Sequence, residues 1–314
     1  MPVNEALATY SDYAFRTAIV IYLAAMMLHL GEYARIRAPK QLVTVGADEE
    51  PRAAGEAPDK AERPWTERFG RMAVAMTVLG ALLHAGSVAT RGLAVDRWPW
   101  GNMYEFSSAI TLFAVLAWLI VLRRNPGMRR VGAFLLLPVV ILMFLGGTAL
   151  YAQAAPVVPA LRSYWLSIHV TAVSLATGML TVAGVASVLF LVRRTGAGTD
   201  RTGGFLASLP ASGALDRVAY RVTVIAFPLY TFAIMAGAIW AEAAWGRFWG
   251  WDPKETVAFV AWVIYACYLH ARSTAGWRTG RAAWINVAGL VAVLFNLFFV
   301  NLVVAGLHSY AGVG

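Results

Sequence analysis

Eight apolar runs constrain this 314-residue chain more than anything else in it. They lie near 13–30, 70–90, 104–122, 131–151, 165–192, 222–240, 255–271 and 283–304. Each is long enough, at about 17–25 residues, to cross a bilayer as a helix. Period-two alternation is missing from them, and in lipid a helix satisfies its own backbone, so the expected fold is an all-α polytopic membrane protein of about eight transmembrane helices. Composition agrees, with 59% hydrophobic and only 14% charged residues. The opening MPVNEALATYSDY has no basic n-region and no cleavage site follows it, so the first helix is expected to remain.

A net charge of +9 would suit a nucleic-acid binder if it were gathered on one surface. It is instead sorted by loop. Segments 31–71, 123–130, 193–221 and 271–282 carry eight, four, five and three Lys/Arg, twenty of the 26 in the chain. The alternate loops hold only Arg91, Arg97, Arg162, Arg247 and Lys254. This asymmetry sets orientation, with both termini and the 245–255 segment expected outside the cytoplasm. No nucleic-acid partner is implied. Cys267 is the single cysteine, so the chain has no intrachain disulfide and no CxxC thiol pair.

Taken in order, the first helix (1–30) is followed by a Pro-, Ala-, Glu- and Lys-rich cytoplasmic linker at 31–69, expected to be disordered. A membrane core then runs from 70 to 314. DRWPWGN (96–102) reads either as an interfacial aromatic belt with Asn102 capping the third helix or as a wall of an outer pocket. RRNPGMRR (123–130) is a tight inner turn with arginines as topology markers. SGALDRVAYR (212–221) reads as a short amphipathic helix on the membrane surface. No internal repeat is visible, which leaves an inverted-repeat transporter little support.

The segment WGRFWGWDPKE (245–255) stands out between two apolar runs. Asp252, Pro253 and Glu255 have the spacing of a capping box with proline at the first helical position. Capping explains the acids and the proline but not Trp245, Trp249 and Trp251, which are expected to form an aromatic shelf. Helix parity places His169 and His308 on the same membrane face as that shelf. Two imidazoles beside a flat aromatic surface suit a planar ligand whose metal takes two axial nitrogens, and haem is such a ligand. Hydrogen-bonded packing histidines are the bland alternative. His270 lies at the other end of its helix, about 22 Å from Glu255 at 1.5 Å per residue, and reads as a snorkelling residue or an inner ligand. His84 and His29 read as packing or interface residues.

These residues, with YWLSIHV upstream and YLHAR and GLHSY downstream, resemble the tryptophan-rich haem-handling family of cytochrome c biogenesis. The resemblance is to its System II branch of the CcsA or ResC type, often labelled CcsB in actinobacteria, and covers about residues 70–314. It implies a multi-pass plasma-membrane protein that brings haem b, the substrate being transferred, to the extracytoplasmic face. With a ResB/CcsB-like membrane partner such a protein attaches haem to the CxxCH motif of apocytochrome c, as the membrane subunit of a haem lyase complex. Thiol-reducing proteins are implied as further partners.

The resemblance assigns His169 and His308 as axial iron ligands and Trp245, Trp249, Trp251 and Asp252 as the haem-contacting WWD signature. It assigns His270 to an inner haem site whose second ligand comes from elsewhere. No catalytic residue is assigned. The chain departs from the pattern at Val257, where relatives often have Trp, and in the 31–69 linker. Arg162, Arg97, Arg247 and Lys254 are outer-side cations suited to haem propionates. Two rival classes are a b-type electron-transfer subunit and a haem-free transporter or assembly scaffold.

Overall fold

The computed structural model describes residues 3–34, 65–194, 199–201, 205–277, 280–304 and 306–308. Its regular structure is helical: α1 (Glu5–Ala34), α2 (Trp65–Val95), α3 (Met103–Arg124), α4 (Gly132–Thr148), α5 (Tyr164–Arg193), α6 (Ser212–Trp245), α7 (Pro253–Ser273) and α8 (Gly280–Phe295). Seven of the spans are long and apolar enough to cross a membrane. The eighth, α7, has 21 residues and carries Lys254, Glu255, His270 and Arg272 near its ends, which lowers its apolar character. The chain is thus a polytopic membrane protein. Most of the 31–69 linker lies outside the described residues, although α2 already begins at Trp65.

Local chemistry sets the boundaries. Asn102 accepts from the Glu105 N–H at 2.9 Å and starts α3 as an N-cap. Asp252 and Glu255 form the full capping box of α7, with Pro253 at its first position. Gly246 ends α6 in the left-handed region (φ 70°), which costs glycine little. Residues 126–131 make a 3-10 turn between α3 and α4.

Two expectations need correction. The stretch 212–221 is no separate surface helix but the first turns of the 34-residue α6. Leu215, Val218, Ala219 and Val222 keep one helical stripe buried across the join, and no Gly or Pro interrupts it. The arginines of the 126–131 turn also do more than mark topology. Arg129 pairs with the buried Glu32 of α1 at 2.8 Å, and Arg130 donates to the Ser208 carbonyl at 2.9 Å.

The helices alternate in direction, and side-chain contacts tie their ends into two layers. At one end, the Asn4 N–H reaches the Ala94 carbonyl, and Arg91, Asp12, Glu105 and Tyr151 join α1, α2, α3 and the segment after α4. At the other, Glu32 meets Arg129, and Arg272 of α7 meets Asp216 of α6 at 2.7 Å. An α1–α4 cluster around Tyr22, Leu136 and Met143 and an α5–α8 cluster around Leu180, Tyr230 and Tyr265 flank a third that spans both halves through Trp118, Leu135, Phe190 and Leu215. Helix α5 is the most enclosed, packing on α3, α6 and α8. It therefore holds its first turns rigidly at the end that carries the 246–252 loop.

Candidate functional site

A cleft opens between the first turns of α3, α5 and α7, the last turns of α6 and the chain after α8. Its walls are mostly apolar: Trp100, Phe106, Val170, Tyr230, Trp240 and Trp249. Both His169 and His308 line it.

His169 lies two turns into α5. Its Nδ1 is 2.8 Å from the Ala233 carbonyl of α6. A carbonyl only accepts, so Nδ1 carries the proton and Nε2 keeps a lone pair. The close approach depends on Gly237, where a Cβ would sit 2.7 Å from the imidazole. The ring lies parallel to the Trp240 indole, with centroids 6.2 Å apart.

His308 is fixed in the same way by a different acceptor. Its Nδ1 is 2.9 Å from Asp252 Oδ1, while Asp252 Oδ2 accepts from the Leu307 N–H at 2.8 Å. Asp252 therefore caps α7, pins the chain after α8 and orients the imidazole. Burial works to raise its pKa, but the Leu307 N–H, the His308 ring and the Lys254 N–H outweigh burial and hold the carboxylate below its ordinary range. Burial, with Lys254 beside it, pushes His308 down to about 4 despite the carboxylate contact. The ring is neutral and donates through Nδ1, again leaving Nε2 with its lone pair. Such a carboxylate or carbonyl behind an imidazole is the usual outer support of a metal-binding histidine.

The tryptophans divide the work. Trp249 lines the cleft directly. Trp245 stands behind it, edge-on to His308 at 4.8 Å and to Trp240 at 4.7 Å. Trp251 is 65% exposed and contacts the edges of Trp249 and Phe259. Its φ of 57° is unusual for a bulky residue, and such strain persists where the surrounding structure holds it. Glu255 closes the loop by accepting from the Gly250 and Asp252 N–H groups and pairing with Arg247.

The cleft also contains residues that the sequence reading passed over or left open. Trp240 contacts both histidines and lies only five residues before Trp245. Trp100 lines the cleft, so the 96–102 segment is a pocket wall, and its buried indole N–H has no partner among the described residues. Asn296, at the start of a π turn (296–300) after α8, and Asn301, directly after that turn, line it too. Their signal was two amides inside an otherwise apolar run.

The structure does not bring His270 to this site. It lies exposed in the last turn of α7, at the opposite end of that helix. His84 is buried, with Nε2 2.9 Å from Ser108 Oγ, and His29 is buried edge-on to Trp118. Both fit packing roles. Among the described residues no three of His, Cys, Asp and Glu gather into a metal-ion cluster, so iron would find here two imidazoles and aromatic walls.

Comparison with known proteins identifies the family. Residues 100–308, which include the cleft and both of its histidines, match the family described as cytochrome C assembly protein. The cytochrome c biogenesis protein CcsA of Gloeobacter violaceus is 33% identical over 300 residues, spanning 79% of this chain and 87% of its own length. The protein of that name from Synechococcus sp. RCC307 is 34% identical over 264 residues, spanning 76% of this chain and 85% of its own. That from Chlamydomonas reinhardtii is 41% identical over 160 residues, half of this chain and 44% of its own. The chain belongs to the cytochrome C assembly family and is a CcsA-type cytochrome c biogenesis protein.

Proposed function

We propose that the cleft holds haem b as a substrate, with His169 and His308 as axial ligands, and presents it for covalent attachment to apocytochrome c. One observation carries this reading. Both imidazoles line one aromatic-walled cleft, each with its Nδ1 committed to an acceptor and its Nε2 left with a lone pair. Packing histidines have no need of that arrangement twice in one pocket. Orphaned polar atoms in the same walls, the Trp100 N–H and Asn296 Oδ1, fit a site completed by a ligand.

The loop chemistry supports the rest. Trp249 and Trp240 cover a planar ligand, and Trp245 and Asp252 hold His308 in place. Trp251 is exposed beside the loop, where an incoming protein meets it. In the attachment step each cysteine thiol adds across a vinyl group: a C–S bond forms and the proton goes to the neighbouring carbon, with no net oxidation. The protein's contribution is orientation, which is a large lever on rate. The thiols must arrive reduced. Cys267 is the only cysteine, so thiol-reducing proteins are needed, and the family resemblance adds a ResB/CcsB-like membrane partner.

The excess of Lys and Arg in the loops of the opposite layer supports a cytoplasmic position for that layer in the plasma membrane, with the cleft outside. His270 then lies at the cytoplasmic end of α7, as an inner waypoint for haem. The test is the absorption spectrum and haem content of the chain purified with its partner, alongside covalent haem on a co-expressed apocytochrome. His169→Ala and His308→Ala should each abolish the bis-imidazole spectrum and lower covalent haem by at least about tenfold. A stable bis-imidazole haem that never transfers to a CxxCH protein would favour the electron-carrier reading instead.

A further inference from the structure

Lys254 is the second residue of α7 and lines the cleft. A cation is unfavourable at the positive end of a helix, and this one faces largely apolar walls. An ammonium has three donors. Among the described residues Lys254 Nζ has one hydrogen-bond partner, Asn301 Oδ1, and otherwise lies 5.8 Å from the Phe106 ring centroid. No described carboxylate comes within ion-pair distance of it.

The two nearby acids are already engaged. Asp252 serves His308 and the Leu307 and Lys254 N–H groups. Glu255 serves Arg247 and the Gly250 and Asp252 N–H groups. Beside Lys254, Asn296 donates its Nδ2 to the Lys254 carbonyl at 3.1 Å. Its Oδ1 is buried and has no hydrogen-bond partner among the described residues. Asn296 opens and Asn301 follows the π turn at 296–300, a geometry that recurs at functional sites.

We infer that Lys254, supported by Asn301, is an anion subsite within the cleft, and that it takes a propionate carboxylate of the porphyrin. The inference rests on the haem reading above and deepens it. A half-buried cation against apolar walls gains from an anion delivered into the same low-dielectric space. The apolar walls require that anion to arrive attached to a large apolar body. Asn301 holds the ammonium in place, and Asn296 Oδ1 offers an acceptor to a protonated propionate or a bridging water. Vinyl and propionate groups occupy opposite edges of protohaem. Fixing one edge at Lys254 thus determines where in the cleft the vinyls meet the incoming thiols, a choice that two axial imidazoles alone leave open by rotation about the iron axis.

The test compares haemin with haemin dimethyl ester, which keeps the iron and the ring but lacks both carboxylates. Each is titrated spectroscopically into the full chain with its partner. Wild type should bind haemin at least about tenfold more tightly than the ester. Lys254→Gln should bind both at the ester's affinity, and Lys254→Arg should keep most of the preference. Lys254→Glu should bind the ester better than haemin, an inversion that misfolding cannot produce. Equal wild-type affinities, or an undiminished preference in Lys254→Gln, would overturn the subsite. Failure of the underlying reading looks different: wild type would give no His169- and His308-dependent bis-imidazole spectrum with either compound.

Discussion

An alanine at position 237 would place its Cβ 2.7 Å from both Nδ1 and Cε1 of His169, where α6 backbone now meets the ring. The imidazole must then move away from the Ala233 carbonyl that fixes its tautomer. Gly237→Ala is therefore expected to lower haem occupancy about 10- to 100-fold, the usual effect of losing a partner behind a metal ligand. Its far-ultraviolet circular dichroism should stay unchanged, because alanine is a better helix residue than glycine. At His308 the corresponding variant is Asp252→Asn. Asparagine still caps a helix, but its side chain has one acceptor oxygen where aspartate uses two, for His308 and for Leu307. The bis-imidazole spectrum should shift towards a mixed or weaker ligand field, with the loss in thermal stability below about 1 kcal/mol for the cap. An unchanged spectrum in Asp252→Asn would show that the carboxylate does not orient the ring.

Among the elements, the clearest internal support is the ion network that joins the first turns of α1 and α3 to the last turns of α2. Glu105 is 3% exposed and pairs with Arg91 at 3.1 Å and Arg97 at 2.8 Å, while its Oε2 accepts from the Gly101 N–H at 2.7 Å. That arrangement holds the 96–102 segment, and with it Trp100, against the cleft. Glu105→Ala leaves Arg97 without its carboxylate and Arg91 with only the more distant Asp12, at 3.6 Å, in a largely dry setting, which costs about 3 kcal/mol. The expected result is a clear drop in thermal unfolding temperature, read by the fluorescence of the buried tryptophans, and a weakened cleft. Expression and stability like wild type would show that the network is redundant.

For the whole molecule, the alternating helices put the cleft and the arginine-rich turns at opposite ends of the bundle, and orientation follows from which end faces the cytoplasm. The single native cysteine makes this testable. On a Cys267→Ser background, cysteines at the exposed positions Gln153 and Ala275 sample the two ends. A membrane-impermeant maleimide should label Gln153→Cys in intact cells and Ala275→Cys only after permeabilisation. The reverse pattern would place the cleft in the cytoplasm and remove the basis for attachment outside it.

The sequence by itself determined the class of fold, the number and rough limits of the helices and the capping box of α7. These depend on local periodicity, apolar length and short-range hydrogen bonds, all written in neighbouring residues. It also singled out His169, His308 and the 245–255 segment as sharing one face, because helix parity is a counting argument. It misjudged 212–221, where continuity of a buried stripe into α6 overrode an amphipathic reading. Other features were settled only by tertiary structure. Trp240 joins the two histidines, Asp252 stands behind His308 across 56 residues of chain, and Lys254 meets Asn301 instead of an acid. Each depends on how α6, α7 and the end of α8 pack together, and no local pattern encodes the tautomer of an imidazole or the partner of a half-buried cation.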